Sequence, residues 1–337
     1  MMMYTKSKHW MLLLIVLLGL GVVSCSDDDD DDDEMGNWVR RSDFDGVARG
    51  QAAFFTIDEL GYLMGGFDGR DRLNDFWAFD ANQNFWTQKA SFPGVERNSA
   101  VGFALDGKGY VGTGYSGISY LNDFWAYDPV SNTWEQKSNI PGNGRYGAVA
   151  FSVGGYGVIG CGYDGNHLKD FYKYDAESDM WEQLPFPGTK RVGASAFSIG
   201  ENVYLVGGIN NQQYVYDFWM LNGDDFQWTQ KRDVADTSDE SYDDDYAISR
   251  SYGVAFSIGS LGYYTTGESG SLRTDTWEYN PLTDVWEAKT AFEGAARSGA
   301  VAFSMAERAF VTTGRSSSYR FDDTYEFFPF EEYEEYD

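Results

Sequence analysis

An arginine recurs six times along the chain at nearly constant spacing, and the phrase that follows it is similar each time. The intervals between successive copies are 48, 48, 46, 59 and 47 residues. Phrases such as RYGAVAFSVGGYGVIGCGY and RSGAVAFSMAERAFVTTG start with small residues and continue into apolar, strand-like stretches. The pattern therefore predicts a repeated β-sheet unit. The six arginines are Arg49, Arg97, Arg145, Arg191, Arg250 and Arg297.

Each repeat contains four candidate strands in a fixed order. A small-residue run comes first, and a strand that ends in a glycine pair, such as Gly65-Gly66, comes second. The third is an aromatic phrase such as LNDFWAFD or LNDFWAYD, and the fourth begins at a tryptophan. Four strands in a period near 45 to 50 residues predict one propeller blade per repeat. The fourth-strand tryptophans are Trp86, Trp134, Trp181, Trp228 and Trp286.

The order of glycine pair, aromatic strand and single tryptophan resembles the kelch repeat. The resemblance covers nearly all of the chain from Trp38 to Phe328. It implies an all-β protein, a six-bladed propeller with four antiparallel strands per blade. Cys161 occupies the slot that Gly65 and Thr113 fill in other repeats, so we expect a small buried residue there, not a reactive thiol.

The spacing of one further tryptophan predicts how the ring closes. Trp38 precedes Arg49 by 11 residues, the same distance as in Trp86–Arg97, whereas the last repeat has no tryptophan of its own. We therefore expect the N-terminal strand to complete the sixth blade, which would leave no open sheet edge. A rival fourth strand is the acidic segment Tyr333-Glu334-Glu335.

The first 24 residues are typical of a secretory signal peptide. Lys6 and Lys8 precede an apolar stretch of 14 residues, which is too short to span a bilayer. The stretch ends in Val22-Val23-Ser24-Cys25, which resembles a bacterial lipobox and implies lipidation of Cys25. We predict a membrane partner through this lipid, an outer-membrane location, and display on the cell surface; the periplasmic side remains an alternative.

Acidic residues dominate three runs, 27–34, 233–245 and 331–337, and the formal net charge is −28. The first run resembles the acidic stretch after the lipid cysteine in surface-exported lipoproteins of Bacteroidota, and residues 25–36 would form a hydrated tether. The predicted propeller covers 37–330 and an acidic tail covers 331–337. So negative a chain repels the phosphates of nucleic acids, and we expect no nucleic-acid partner.

The six repeated arginines allow two interpretations. Each could bond neighbouring carbonyls or acids as part of the framework, or all six could converge on a carboxylate or sulfate ligand. Arg70, Arg273 and Arg315 are additional arginines in the variable loops FDGRDR, ESGSLR and RSSSYR. Loops on a rigid scaffold are common binding sites, so we predict that these three contact a ligand.

Tyrosines on the same predicted face suit stacking on a sugar ring or packing against a peptide. The candidates are Tyr115, Tyr146, Tyr163, Tyr214, Tyr252 and Tyr319. The insertion 233–245 belongs to the same face, as a solvated loop, a lid or a weak calcium site. These features predict a monomeric, non-catalytic binding module for a glycan or a protein.

Two enzymatic alternatives follow from the resemblance. Copper radical oxidases of this fold need two histidine ligands, but His167 is the one histidine after Cys25, so we expect no metal site and no cofactor. Bacterial sialic-acid mutarotases also resemble kelch propellers and work without metal. A metal-free sugar-acid mutarotase therefore remains the alternative function, with Glu268 or Asp68 as acid or base.

Overall fold

The computed structural model describes residues 35–235, 246–305 and 307–334. These residues form 28 β-strands, and 24 of the strands make six four-stranded antiparallel sheets. The sheets are the six blades of a β-propeller, as the repeat predicts. None of the described residues forms a helix long and apolar enough to cross a membrane.

In the first three blades the strands follow chain order from the axis outward. Blade 1 contains β2 (Ala53–Ile57), β3 (Leu60–Phe67), β4 (Arg72–Asp80) and β5 (Phe85–Gln88). Blade 2 contains β6 (Val101–Leu105), β7 (Lys108–Gly112), β8 (Phe124–Asp128) and β9 (Thr133–Lys137). Blade 3 contains β10 (Val149–Val153), β11 (Tyr156–Gly160), β12 (Phe171–Asp175) and β13 (Met180–Leu184).

Blades 4 and 5 each add a short hairpin between their second and third strands. Blade 4 contains β14 (Ser195–Ile199), β15 (Asn202–Val206), β18 (Phe218–Asn222) and β19 (Trp228–Lys231), with the hairpin β16 (Ile209–Asn210) and β17 (Gln213–Tyr214). Blade 5 contains β20 (Val254–Ile258), β21 (Leu261–Thr265), β24 (Thr276–Asn280) and β25 (Val285–Lys289), with the hairpin β22 (Glu268–Ser269) and β23 (Ser271–Leu272). Blade 6 contains β26 (Val301–Met305), β27 (Arg308–Thr312), β28 (Thr324–Glu332) and β1 (Met35–Arg40).

Blade 6 joins the two ends of the described chain. Strand β1 pairs antiparallel with β28, and Trp38 lies opposite Phe327. The Trp38 ring is fully buried and packs edge-on against Phe292, with ring centroids 5.0 Å apart. The prediction that Trp38 completes the last blade is therefore confirmed, and the rival segment at Tyr333 does not supply the fourth strand.

Aromatic rings fill the spaces between neighbouring blades. Between blades 1 and 2, Phe76 meets Trp134 with ring centroids 4.9 Å apart and Tyr127 with centroids 4.6 Å apart, both edge-on. Phe124 repeats both contacts one blade further on. Edge-on pairs of this kind add about 0.5–1.5 kcal/mol beyond the area they bury. The repeated aromatic phrases thus hold blade to blade.

A closed ring of backbone hydrogen bonds surrounds the axis. In each blade the residue two places after the repeated arginine donates its N–H to the equivalent carbonyl of an adjacent blade, at 2.7–3.0 Å. All six residues have positive φ between 53° and 68°. The members are Gln51, Ser99, Gly147, Gly193, Tyr252 and Gly299.

Side chains at alternate positions of the innermost strands face the axis. Phe54 is the one bulky side chain at its level, where the other blades carry glycine or alanine. It borders each of three cavities that follow one another along the axis. The hydroxyl-lined cavity of about 290 Å³ farthest from the backbone ring includes Ser152 and Ser198. Phe54 thus narrows the space around the axis between the two ends of the propeller.

The junction between blades 3 and 4 lacks a hydrogen bond that the other junctions have. Elsewhere the N–H four residues after a fourth-strand tryptophan donates to a residue two or three places before the next such tryptophan. The pairs are Ser42–Asn84, Ala90–Asn132, Ser138–Asp179, Arg232–Asp284 and Thr290–Met35. Pro185, which has no N–H, takes the donor position here, and Phe226 takes the acceptor position. A cavity of about 500 Å³ lies between them.

Candidate functional site

The six repeated arginines belong to the framework of the blades. Arg97 is fully buried, and its guanidinium donates to both oxygens of Asp123 at 2.7 Å and to the Thr113 carbonyl at 3.0 Å. Burial raises the pKa of Asp123, but the hydrogen bond and charge of Arg97 outweigh it and lower the pKa overall. The six pairs are Arg49–Asp75, Arg97–Asp123, Arg145–Asp170, Arg191–Asp217, Arg250–Asp275 and Arg297–Asp323.

These contacts favour the structural interpretation of the repeat over a ring of six ligand-binding arginines. Each of the six arginine residues is at most 1% exposed, so a ligand on the surface cannot reach the guanidinium groups. Each arginine also donates to the backbone carbonyl of the residue at the first position of the glycine pair in its repeat. Thr113 and Cys161 occupy this position in blades 2 and 3, with φ values of 64° and 58°. Burial raises the pKa of the Cys161 thiol to about 12, so the thiol stays protonated.

The loops after the glycine pairs fold back as hairpins, and together they form one end of the propeller, which we call the upper face. The first residue of each loop pairs with the residue after a repeated arginine, as in Tyr115 with Asn98 and Arg315 with Ser298. It also pairs with a residue at the far end of its own loop, as in Tyr115 with Tyr120 and Arg315 with Arg320. Both ends of each hairpin therefore lie near the axis.

Three arginines lie together on this face and form what we call the arginine cluster: Arg72, Arg315 and Arg320. Arg72 and Arg320 stand over the ring of Phe67, at 5.2 and 5.5 Å from its centroid. Burial and the nearby charge of Arg315 lower the pKa of Arg320, although Asp68 acts in the opposite direction.

The arginine cluster differs from the framework arginines in its partners. Among the described residues, no carboxylate forms an ion pair with any of the three. Arg72 donates to the Asn98 side-chain oxygen at 2.8 Å, and Arg320 donates to the Tyr319 carbonyl at 3.0 Å. The Nε of Arg320 is buried and has no hydrogen-bond partner within that part of the chain. The cluster therefore retains donor capacity and positive charge.

A group of aromatic side chains continues from the arginine cluster across blades 2 and 3, and we call it the tyrosine cluster. Arg72 lies 4.6 Å from the centroid of Tyr115, which joins the two clusters. Successive ring centroids within the cluster are 5.2–6.1 Å apart. Its members are Tyr115, Tyr120, Tyr146, Tyr163 and His167.

Tyr252 belongs to the backbone ring around the axis, and its side chain borders an axial cavity together with Gln51 and Phe54. Its ring is so close to Gly193 that a Cβ there would lie 2.9 Å from it. Burial, followed by the charges of Tyr146 and Glu268, raises the pKa of Tyr252, while Arg315 lowers it. The hydroxyl therefore stays protonated at neutral pH.

The other predicted site residues lie elsewhere or are already occupied. Arg70 and Tyr319 are at loop tips, 90% and 71% exposed, and Arg70 faces Asp71. Arg273 is bound to Asp275 at 2.7 Å, beside the framework pair of blade 5, and Tyr214 accepts from the Gly270 N–H at 2.7 Å. The structure thus brings Arg315, Tyr115, Tyr146, Tyr163 and Tyr252 together but not these four.

The two acid–base candidates differ in what their carboxylates do. Asp68 accepts from the backbone N–H groups of Arg70 and Asp71 at 2.7 and 2.6 Å, which shapes its own loop. Burial raises the pKa of Asp68, but these N–H bonds outweigh it and lower the pKa overall. Glu268 is half-buried and pairs through its backbone with Ser251, and its carboxylate accepts no hydrogen bond from any described residue.

Besides His167, three residues of the two clusters were missed by the sequence reasoning: Arg72, Arg320 and Tyr120. Each is the sixth residue of a variable loop, FDGRDR, RSSSYR or YSGISY. The signal was available, because a six-residue loop closing as a hairpin places its sixth residue beside its first. Cys25 and residues 236–245 of the acidic insertion lie outside the described residues.

No metal centre is formed by the described part of the chain, where no three His, Cys, Asp or Glu side chains come together to hold an ion. His167 packs against Tyr163, with ring centroids 5.2 Å apart. Burial lowers the pKa of His167, although a hydrogen bond with Asn211 acts in the opposite direction, so the imidazole is neutral at pH 7.

Comparison with known proteins agrees with this architecture. Residues 44–193 match the model of the KLHDC2/KLHL20/DRC7 Kelch-repeats domain, and residues 190–233 match that of the Kelch motif. The solved structure of YjhT is similar, with a TM-score of 0.70 and 16% sequence identity over 83% of this chain and 95% of that one. No curated protein matches the sequence. The protein is a six-bladed β-propeller built from kelch repeats.

Proposed function

We propose that the protein is a binding module whose ligand carries an anionic group, a carboxylate or a sulfate, that docks on the arginine cluster. The observation that carries this proposal is the contrast between two sets of arginines. The framework arginines are neutralised by aspartates, whereas Arg72, Arg315 and Arg320 have no carboxylate partner among the described residues. A chain with a formal net charge of −28 has many acids available, so the lack of an ion pair between this cluster and any described acid is informative.

The chemistry of guanidinium groups supports an anionic ligand. Arginine presents a planar fork of donors that matches the two oxygens of a carboxylate or the oxygens of a sulfate. The half-buried position of Arg320 strengthens such an interaction, because partial burial lowers the local screening by water. A glycan that contains an acidic sugar offers this group together with apolar ring faces for the neighbouring tyrosines.

The same proposal places the protein on the outer membrane, held by a lipid on Cys25 and displayed at the cell surface. Its support is the sequence alone: the apolar stretch, Ser24-Cys25 and the acidic residues that follow. A binding module held at the surface by such a lipid could capture extracellular glycans. A protein partner that offers an acidic side chain to the cluster remains the alternative ligand.

The test is calorimetric titration of the protein with glucuronate, galacturonate and N-acetylneuraminate, with glucose and galactose as neutral controls. We expect binding of at least one acid sugar, weakening as the salt concentration rises. Arg315→Ala and Arg320→Ala should each reduce the affinity about tenfold or more. Arg70→Ala removes the same charge from an exposed loop tip of the same face and should leave the affinity unchanged. Equal effects of Arg70→Ala and Arg320→Ala would contradict the proposal.

A second candidate is metal-free mutarotation of a sugar acid on the same face. The observation in its favour is that Glu268 pairs with Ser251, next to Tyr252, and Arg315 pairs with Ser298 in the adjacent blade. Ring opening needs a proton donor and acceptor near the ring oxygen, and Arg315 would hold the carboxylate. Anomer exchange followed by NMR should be faster with the protein than in buffer and should be lost in Glu268→Gln. Exchange at the buffer rate would reject this candidate and leave the binding module intact.

A further inference from the structure

We propose that the ligand is an acidic oligosaccharide of at least two units, with its acidic sugar on the arginine cluster and an uncharged sugar on the tyrosine cluster. This inference rests on the proposed function, because it takes the arginine cluster as the anion site. It adds a second subsite, a ligand length and a direction across the upper face.

The two clusters form one continuous surface. From Arg72 the path runs 4.6 Å to the Tyr115 ring, then 5.5 Å to Tyr120, and then 6.1 Å to Tyr163. Three such steps extend beyond one sugar ring. A monosaccharide held by Arg315 and Arg320 would therefore leave the far part of the tyrosine cluster uncovered.

The tyrosine cluster offers the groups that a neutral sugar needs. Tyr120 is 37% exposed, and Tyr146 and Tyr163 are half-buried, so their rings are accessible for stacking. Tyr115 donates its hydroxyl to the Gly117 carbonyl at 2.7 Å. By contrast, the hydroxyls of Tyr120, Tyr146 and Tyr163 have no hydrogen-bond partner among residues 35–235, 246–305 and 307–334. They can bond to sugar hydroxyls.

The charges around the tyrosine cluster argue for an uncharged second unit. His167 is neutral at pH 7, because burial lowers its pKa. Asp164, held by Asn143 at 3.0 Å, lies in the same loop as Tyr163 and would repel a second acid. Arg72 lies over the ring of Tyr115, at the end of the tyrosine cluster that adjoins the arginine cluster, and brings a positive charge to that end. The acidic and neutral units therefore occupy opposite ends.

The test compares one acid sugar with longer ligands that contain it. The probes are glucuronate, disaccharides of glucuronate with glucose or galactose, and the neutral disaccharides cellobiose and lactose, each titrated calorimetrically into the protein. We expect one acidic disaccharide to bind about tenfold more tightly than glucuronate, and the neutral disaccharides to bind weakly. Tyr120→Ala should remove the tenfold gain and leave the affinity for glucuronate unchanged.

Two further variants keep the result interpretable. Tyr120→Phe retains the ring and should retain most of the gain, and Tyr319→Ala, which truncates an exposed loop-tip tyrosine of the same face, should have no effect. If glucuronate binds through Arg315 but no disaccharide binds more tightly, the two-unit ligand is wrong and the proposed function stands. If none of glucuronate, galacturonate, N-acetylneuraminate and the acidic disaccharides binds, both are overturned.

Discussion

Arg41, which directly follows β1, forms an ion pair of 2.7 Å with Glu326 of β28, so that one carboxylate ties the first strand of the propeller to the last. Glu326 is 1% exposed and also binds Arg308 of β27. Both arginines keep about a third of their side chains exposed. The pairing of β1 with β28 is therefore reinforced by a nearly buried acid that two cations share.

Replacing this acid should weaken the closure of the ring. We expect Glu326→Ala to lower the free energy of unfolding by about 2–3 kcal/mol, somewhat below the loss for a fully buried pair, since the two arginines regain water. Asp43→Ala breaks the neighbouring Arg40–Asp43 pair, whose side chains are more than half exposed, and should cost under about 1 kcal/mol. Urea unfolding of both variants measures the difference. Equal losses would show that Glu326 has no special part in closure.

A repeated arginine should be intolerant of a substitution that keeps its charge. Arg97→Lys retains a cation but loses the bidentate contact with Asp123 and the bond to the Thr113 carbonyl. We expect a loss of about 3 kcal/mol in unfolding free energy, because the buried aspartate and carbonyl lose their partners. Arg70→Lys, at an exposed tip, serves as the control and should change stability little. A tolerated Arg97→Lys would mean that charge alone suffices there.

The aspartates of these pairs give stability a defined dependence on pH. Burial raises the pKa of Asp275, but Arg273 and Arg250 outweigh it and lower the pKa to about 2, whereas an unfolded aspartate has a pKa of about 3.9. The stabilising effect is therefore complete above about pH 4 and is lost as the pH falls towards 2. Asp275→Asn should be less stable than the wild type by a constant amount from pH 5 to 8. That difference should shrink below pH 4, and a difference that stays constant down to pH 2 would refute this assignment.

The junction between blades 3 and 4 should open more readily than its equivalents. Ala90 and Asn132 make a hydrogen bond between blades 1 and 2. This bond has no equivalent between blades 3 and 4, because Pro185 has no N–H to donate and Phe226 has no side-chain acceptor. Hydrogen exchange should therefore be faster in β13 than in β9, the corresponding strand of blade 2. Asn132→Gly keeps the left-handed turn (φ 53°) but removes the acceptor, and we expect it to bring exchange in β9 close to that in β13. Similar exchange in both strands of the wild type would contradict this.

The sequence was most informative where the repeat itself specifies the structure. Trp38 could be placed in blade 6 because its distance from Arg49 equals that of the other tryptophans. The role of the repeated arginines could not be decided in this way, since Arg97 and Asp123 are 26 residues apart and meet only once the blade has folded. The six-residue loops place Arg72 and Arg320 each beside the first residue of its own loop, but only the folded ring shows that the two loops meet at the junction of blades 6 and 1.

The ring of hydrogen bonds from Gln51 to Gly299 has a consequence for the electrostatic field at the axis. At the end of a helix the peptide dipoles point the same way and add up to a charge that can attract an ion. In the ring each N–H points around the axis towards the next carbonyl, so the dipoles circulate and largely cancel at the centre. The backbone therefore gives the upper end of the axis little sign preference of its own. A preference for anions there has to come from side chains, and substituting a few arginines could reverse it without touching the ring.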